Sequence, residues 1–157
     1  MAIETLWNFN LFEILNQTVS FVLFGTRYKF VLWQFSVLVG FGTFLISRLL
    51  NRRVPRILFW SLGSLFPRIL ITAPIIEEVI FRLILITFLF SITNSVIIAI
   101  FVSAFLWGVS HIIYGSHRVL DTFLHGLLLG LIFVNFGIVA TIIIHMTHNF
   151  LDILTGG

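Results

Sequence analysis

Residues 73–85 read APIIEEVIFRLIL. Two adjacent carboxylates, Glu77 and Glu78, and one guanidinium, Arg82, stand in a segment whose other side chains are apolar. Nowhere else does the chain set two acidic residues side by side. A charge at mid-bilayer costs at least ~2.5–3.5 kcal/mol, so such groups turn toward protein or water and mark functional sites. The segment matters because everything around it is apolar.

Of the 157 residues, 59% are hydrophobic and 10% charged, with a mean hydropathy of +1.14. A soluble domain has about 45–50% apolar and about 25% charged residues. A chain this short cannot hide so much apolar surface from water, so its solvent is lipid. The expected fold is all-α: one polytopic membrane domain over 1–157, with about five to six spanning helices plus an interfacial or re-entrant segment. Crossing the hydrocarbon takes about 20 helical residues. Phe30–Ser47, Pro74–Ile92, Ser95–Ile113, Val119–Phe136 and Ile138–Leu154 meet or approach this length. The breaks at 93–94, 114–118 and Gly137 are short, as between antiparallel neighbours in a bundle. Ile3–Phe24 mixes polar and apolar residues and reads as an interfacial or spanning amphipathic helix. Arg56–Ile71, interrupted by Gly63, Pro67 and Arg68, reads as the interfacial or re-entrant piece. The N-terminus lacks a basic n-region and does not read as a cleaved signal.

There are no cysteines, which removes disulfides and thiolate metal sites. The net charge of +3 points to topology rather than to nucleic acid, because Arg48, Arg52, Arg53 and Arg56 cluster beside one span. With Arg68 and Arg118 they mark one face. The positive-inside rule assigns that face to the cytoplasm. Arg27 and Lys29, on the other side of the first span, oppose this orientation. Trp7, Trp33 and Trp60 sit near the expected interfaces, as belt anchors do.

Spacing groups the polar residues. At ~1.5 Å per residue, Glu77 and His111 both lie ~25 Å from the break at 93–94 on adjacent antiparallel helices. A carboxylate and an imidazole at one depth form a general-base pair for water. Glu78 and Arg82, at i,i+4 with the acid first, suit a helical ion pair. Glu77 is turned about 100° from Glu78 and faces elsewhere. His145 and Asn149 share a helical face, and their N–H groups are able to stabilise an oxyanion. The same arithmetic puts them only ~12 Å and ~18 Å from the far face, so tilt or a late helix start must close the gap. His125, one turn from Asp121, reads as structural. His148 is divided between supporting the site and packing. His117 and Arg118 read as solvated loop.

Three motifs in order now resemble the CAAX-protease and bacteriocin-processing superfamily (CPBP, or Abi) of intramembrane proteases. They are Glu77-Glu78-Val79-Ile80-Phe81-Arg82, then Trp107-Gly108-Val109-Ser110-His111, then His145-Met146-Thr147-His148-Asn149. The resemblance covers roughly 55–155, and residues 1–54 carry no motif. It departs from the family pattern at Trp107, where phenylalanine is usual. It implies an endopeptidase acting on a membrane-associated protein or peptide. Glu77 and His111 would activate water, His145 and Asn149 would form the oxyanion hole, and Glu78 and Arg82 would support them. Trp107 and His148 would stand behind these. It also implies a metal-free glutamate mechanism. Glu77, His111 and His145 make up a three-ligand set of the catalytic zinc kind, so zinc stays open as the alternative cofactor. A cavity between the last four helices would open toward the arginine face. Competing with the protease are a non-proteolytic immunity or partner-binding protein of the same superfamily and a proton relay. Substrate identity and oligomeric state are not readable.

Overall fold

The computed structural model describes residues 11–23, 26–50 and 68–155. A short helix, α1 (Leu11–Leu15), leads into β1 (Thr18–Leu23) and β2 (Thr26–Val31). The two strands pair antiparallel, from Thr18 opposite Val31 to Leu23 opposite Thr26. The described part of 3–24 is therefore a short helix followed by the first strand of a hairpin, not one amphipathic helix. The reason is legible in TVSFVL and TRYKFV, which are rich in β-branched and aromatic residues and alternate polar with apolar over TVSF and RYKF. Arg27 and Lys29 belong to β2, so they sit in a hairpin rather than in a loop leading to a span.

The rest is helical. α2 is Leu32–Leu50. α3 runs unbroken over 68–93 as Arg68–Thr72 (π-helical), Ala73–Glu78 (α), Val79–Ile86 (π-helical) and Thr87–Thr93 (α). Residues 68–71, expected to be re-entrant, are the first turn of this helix; 56–67 lie outside the described residues. Asn94, left-handed at φ 51°, closes α3. Ser95 caps α4 (Val96–Ser110), its side chain accepting from the Ile98 N–H. A single 3₁₀ turn, Ile112–Tyr114, leads to α5 (Ser116–Leu154).

α5 is not one rod. Gly137, at φ 80° and ψ 179°, interrupts it, in a backbone region open essentially to glycine alone. Arg118 in its first turn reaches Asp152 near its end at 4.0 Å. Along a straight helix those two residues would be ~50 Å apart. The chain therefore reverses at Gly137, as expected for the break there, and its halves 116–136 and 138–154 lie antiparallel.

Packing fixes the directions. A Cβ on Gly40 would meet Thr147 Cβ at 2.7 Å and the Ile144 carbonyl at 2.8 Å, and a Cβ on Gly108 would meet the Val119 carbonyl at 2.8 Å. Small residues let backbones approach where lipid supplies no hydrophobic drive between helices. α2 thus lies parallel to the second half of α5, and α4 antiparallel to its first half. One core joins hairpin and bundle, with Val19, Leu32, Trp107, Leu129, Ile132, Ala140 and Ile144 buried together. Leu32–Leu49 and Ser116–Leu154 are long and apolar enough to cross a membrane, whereas Val96–Ser110 is a shorter apolar helix.

One end of the bundle is charged. Arg48 pairs with Asp152 at 3.8 Å and bonds to Thr155. Ser47 donates to Asp121 at 2.8 Å, and Arg118 lies 3.9 Å from Asp121. Arg118 is thus part of a clasp between α2 and both ends of α5, not a solvated loop residue. Trp33, half-exposed, stands at the opposite end of α2; Trp7 and Trp60 lie outside the described residues.

Gly40→Ala is expected to destabilise the protein by about 1–3 kcal/mol, since a Cβ pressed on backbone cannot rotate away. Gly42→Ala is the control, because a Cβ there meets nothing within 4 Å. Thermal unfolding of both variants in one detergent checks this.

Candidate functional site

α3 carries Glu78 and Arg82 on one side and Glu77 on another. Glu78 and Arg82 are buried, at 0% and 1% exposure. The Arg82 Nε lies 3.2 Å from the Glu78 Oε2, so the i,i+4 ion pair read from spacing is present. It is not Glu78's sole partner. The other oxygen, Oε1, lies 2.9 Å from the His145 Nδ1. Arg82 has no hydrogen-bond acceptor among the described residues. Its charge is met by the Glu78 contact and by the Trp107 ring, whose centroid is 4.1 Å from Cζ, a close cation–π distance.

Glu77 is half-buried and faces the other way, toward α4. The Trp107 indole N–H donates to its Oε2 at 2.7 Å. His111 terminates α4, its Nδ1 3.0 Å from the Trp107 carbonyl and 3.1 Å from the Ser110 hydroxyl. The carbonyl accepts only, so Nδ1 bears a proton toward it and Nε2 is the nitrogen turned away. Among the described residues no hydrogen bond joins Glu77 to His111. They are linked through Trp107, whose ring is 5.7 Å from the His111 ring and 5.4 Å from the His145 ring, centroid to centroid.

The depth gap anticipated between the two pairs is closed, since Glu78 and His145 touch. Part of the reason lies in Val79–Ile86. A π-helical coil closes its hydrogen bonds over five residues instead of four, so it is wider and advances less per residue. Glu78 therefore sits closer to the far end than α-helical counting gives.

Asn149 is aligned with His145 as the spacing predicts, and one amide N–H donates to the Ile69 carbonyl at 3.1 Å in the first turn of α3. His148 turns toward α2, its Nδ1 3.1 Å from the Thr43 hydroxyl. That hydroxyl already donates to the Gly40 carbonyl, so His148 Nδ1 is the donor. His125 stacks at 4.6 Å from His148 and 6.0 Å from His145. Sequence reading missed Thr43 and left His125 outside the site. The signal for Thr43 was available: Ser36, Gly40, Thr43 and Ser47 repeat at helical spacing along one face of α2, and all three polar members are buried.

The candidate zinc set Glu77, His111 and His145 borders one ring, Trp107, without being gathered around one point. Its Glu77 oxygen is turned to Trp107 and its His145 Nδ1 to Glu78. No group of three or more His, Cys, Asp or Glu side chains among the described residues is placed to hold a metal ion.

Fold and site together define an apolar helical bundle built around a buried acid–histidine cluster. The chain belongs to the Rce1-like family described as type II CAAX prenyl endopeptidase, whose model matches residues 58–151, and the family is membrane-embedded. The chain is also 38% identical over 77 residues to the sporulation-killing factor biosynthesis protein SkfC of Bacillus subtilis (strain 168). That alignment covers 46% of this chain and 16% of the relative. No solved structure matches it.

Removing Arg82 strands a buried carboxylate, and breaking such a pair costs about 3–5 kcal/mol. Arg82→Met is expected to lose that much. Adding Glu78→Gln should recover part of the loss, because the stranded charge goes with it. Denaturant titration of the single and double variants in detergent reads both numbers.

Proposed function

We propose that this chain is an intramembrane endopeptidase hydrolysing a peptide bond in a membrane-associated protein or peptide. The observation that carries the reading is convergence. Glu77 from α3, His111 from the end of α4 and His145 from α5 all abut one ring, Trp107. Asn149 lies one turn from His145. The family match supplies the reaction class.

In this reading a water sits between the free oxygen of Glu77 and the Nε2 of His111. Its oxygen bonds to the peptide carbonyl carbon while its proton passes to Glu77. The carbonyl oxygen becomes an oxyanion and takes hydrogen bonds from His145 and from the second amide N–H of Asn149. With Nδ1 turned to Glu78, the His145 nitrogen left for the oxyanion is Nε2. Collapse breaks the C–N bond, and the proton on Glu77 goes to the leaving amine. No metal takes part.

Five helical passes cross the bilayer in this reading: α2, α3, α4 and the two halves of α5. The arginine end faces the cytoplasm, and the site opens there between α3, α4 and α5. The substrate class is a membrane-bound tail. Prenylated tails are favoured by the family's description, and a precursor of a killing factor by the name of the SkfC relative.

The test is cleavage by purified protein in lipid of a pool containing prenylated and unmodified tail peptides and precursor peptides, with and without chelator. Glu77→Ala and His111→Ala are each expected to lose on the order of 10²–10⁴-fold in kcat, and Asn149→Ala about 10²–10³-fold. Chelator should leave the rate unchanged. Full cleavage in Glu77→Ala would remove Glu77 from water activation; no cleavage by the wild type would favour a non-catalytic binding protein; inhibition by chelator would replace the metal-free step with a metal-assisted one.

A further inference from the structure

Trp107 touches more of the site than any motif residue, and water activation as written gives it no part. It is almost fully buried, at 2% exposure, midway along the contact between α3, α4 and α5. Its indole N–H donates to Glu77 Oε2 at 2.7 Å. Its main-chain carbonyl accepts from His111 Nδ1 at 3.0 Å. One residue therefore holds both proposed water-activating groups, one through its side chain and one through its backbone.

The chemistry of the two contacts is complementary. An indole nitrogen only donates, so the Glu77 oxygen it meets is an acceptor. The oxygen bound to the indole is spoken for, which leaves the other to receive a proton. A carbonyl only accepts, so it fixes a proton of His111 on Nδ1 and turns Nε2 outward. The N–H of Trp107 is also strengthened. The Arg82 guanidinium lies 4.1 Å from the ring centroid, and a cation over the π-face withdraws electron density from the indole and makes its N–H a better donor. The Arg82–Glu78 pair is thus joined to Glu77 through the ring.

We infer that Trp107 is a positioning residue for peptide hydrolysis: its indole N–H aims Glu77, while its carbonyl sets the His111 tautomer. The inference rests on the proteolytic reading above, and it makes a claim that reading does not. A bulky apolar ring at 107 is not sufficient, because the N–H itself is required.

The experiment separates ring from donor. Trp107 is replaced by its benzothiophene analogue, which keeps the fused ring and substitutes sulfur for N–H, and in parallel by phenylalanine. The wild type and both variants are assayed in lipid on whichever peptide of the pool the wild type cleaves. The expected result for the analogue is a fall in kcat of roughly 10- to 100-fold, as for a reacting group left mis-aimed. KM should stay within about twofold and thermal stability unchanged, since lost transition-state alignment acts on kcat alone. A purely packing role predicts the opposite: the analogue stays active and only Trp107→Phe suffers.

A substrate-free measurement runs beside it. The ¹⁵N–¹H indole resonance that vanishes in Trp107→Phe is assigned to Trp107, and it is expected to move upfield in Glu77→Ala as the carboxylate acceptor is lost. An unmoved resonance would overturn the inference whatever the activities. Cleavage retained in Glu77→Ala together with a moved resonance would sink the water-activating role of Glu77, and with it the positioning role, and leave only the indole–carboxylate bond standing. Full kcat in the analogue would overturn the positioning role.

Discussion

A carboxylate with no exposed surface dictates the arrangement of this bundle. Glu78 is wholly buried in a chain whose interior offers few polar partners, and an unpaired charge in such surroundings is prohibitively costly. It is tolerated because two groups from opposite directions meet its two oxygens: Arg82 along α3 and His145 from α5. Neither is dispensable, since one partner would leave an oxygen orphaned. The requirement locks α3 against the second half of α5. That in turn sets where Arg82 lies under Trp107, and so where α4 must run.

From this lock the two faces of α3 acquire different characters. The side of Glu78 is closed and pre-paired, while the side of Glu77 is half-buried and meets α4. A hydrolytic site needs both properties next to each other: a rigid support and a carboxylate with a free oxygen. The histidines follow the same division. His111 sits at a helix terminus with one nitrogen unengaged. His148 is turned to Thr43, and His125 packs between His145 and His148.

Much of this was legible in the residues. The i,i+4 order of Glu78 and Arg82, the separation of Glu77 from Glu78, the break at 93–94 and the reversal at Gly137 all follow from helical geometry and from residues with special backbone freedom. The β-hairpin at 18–31 was missed because aromatic-rich polar mixtures read equally as an interfacial helix. Only the alternation within TVSFVL and TRYKFV distinguishes the two. The contact of Glu78 with His145 was missed because counting at a uniform rise cannot see a π-helical stretch, which α-helix formers and β-branched residues alike are able to adopt. Trp107 was recognised as a departure from the usual phenylalanine, yet its hydrogen bond depends on a ring orientation that spacing does not encode. The convergence of site residues on that ring is a tertiary fact; the membership of each residue in a motif is a sequence one.

The reversal at Gly137 bears on how the molecule is made. A single residue joins the two halves of α5, so neither half has enough connecting chain to enter lipid while the other waits outside. Where both halves cross, they go in together, as a hairpin. Each half alone would carry ionisable groups into hydrocarbon, whereas in the hairpin Arg118 faces Asp152 and His125 lies against His148. The groups that would oppose entry are thus sheltered against one another within the hairpin.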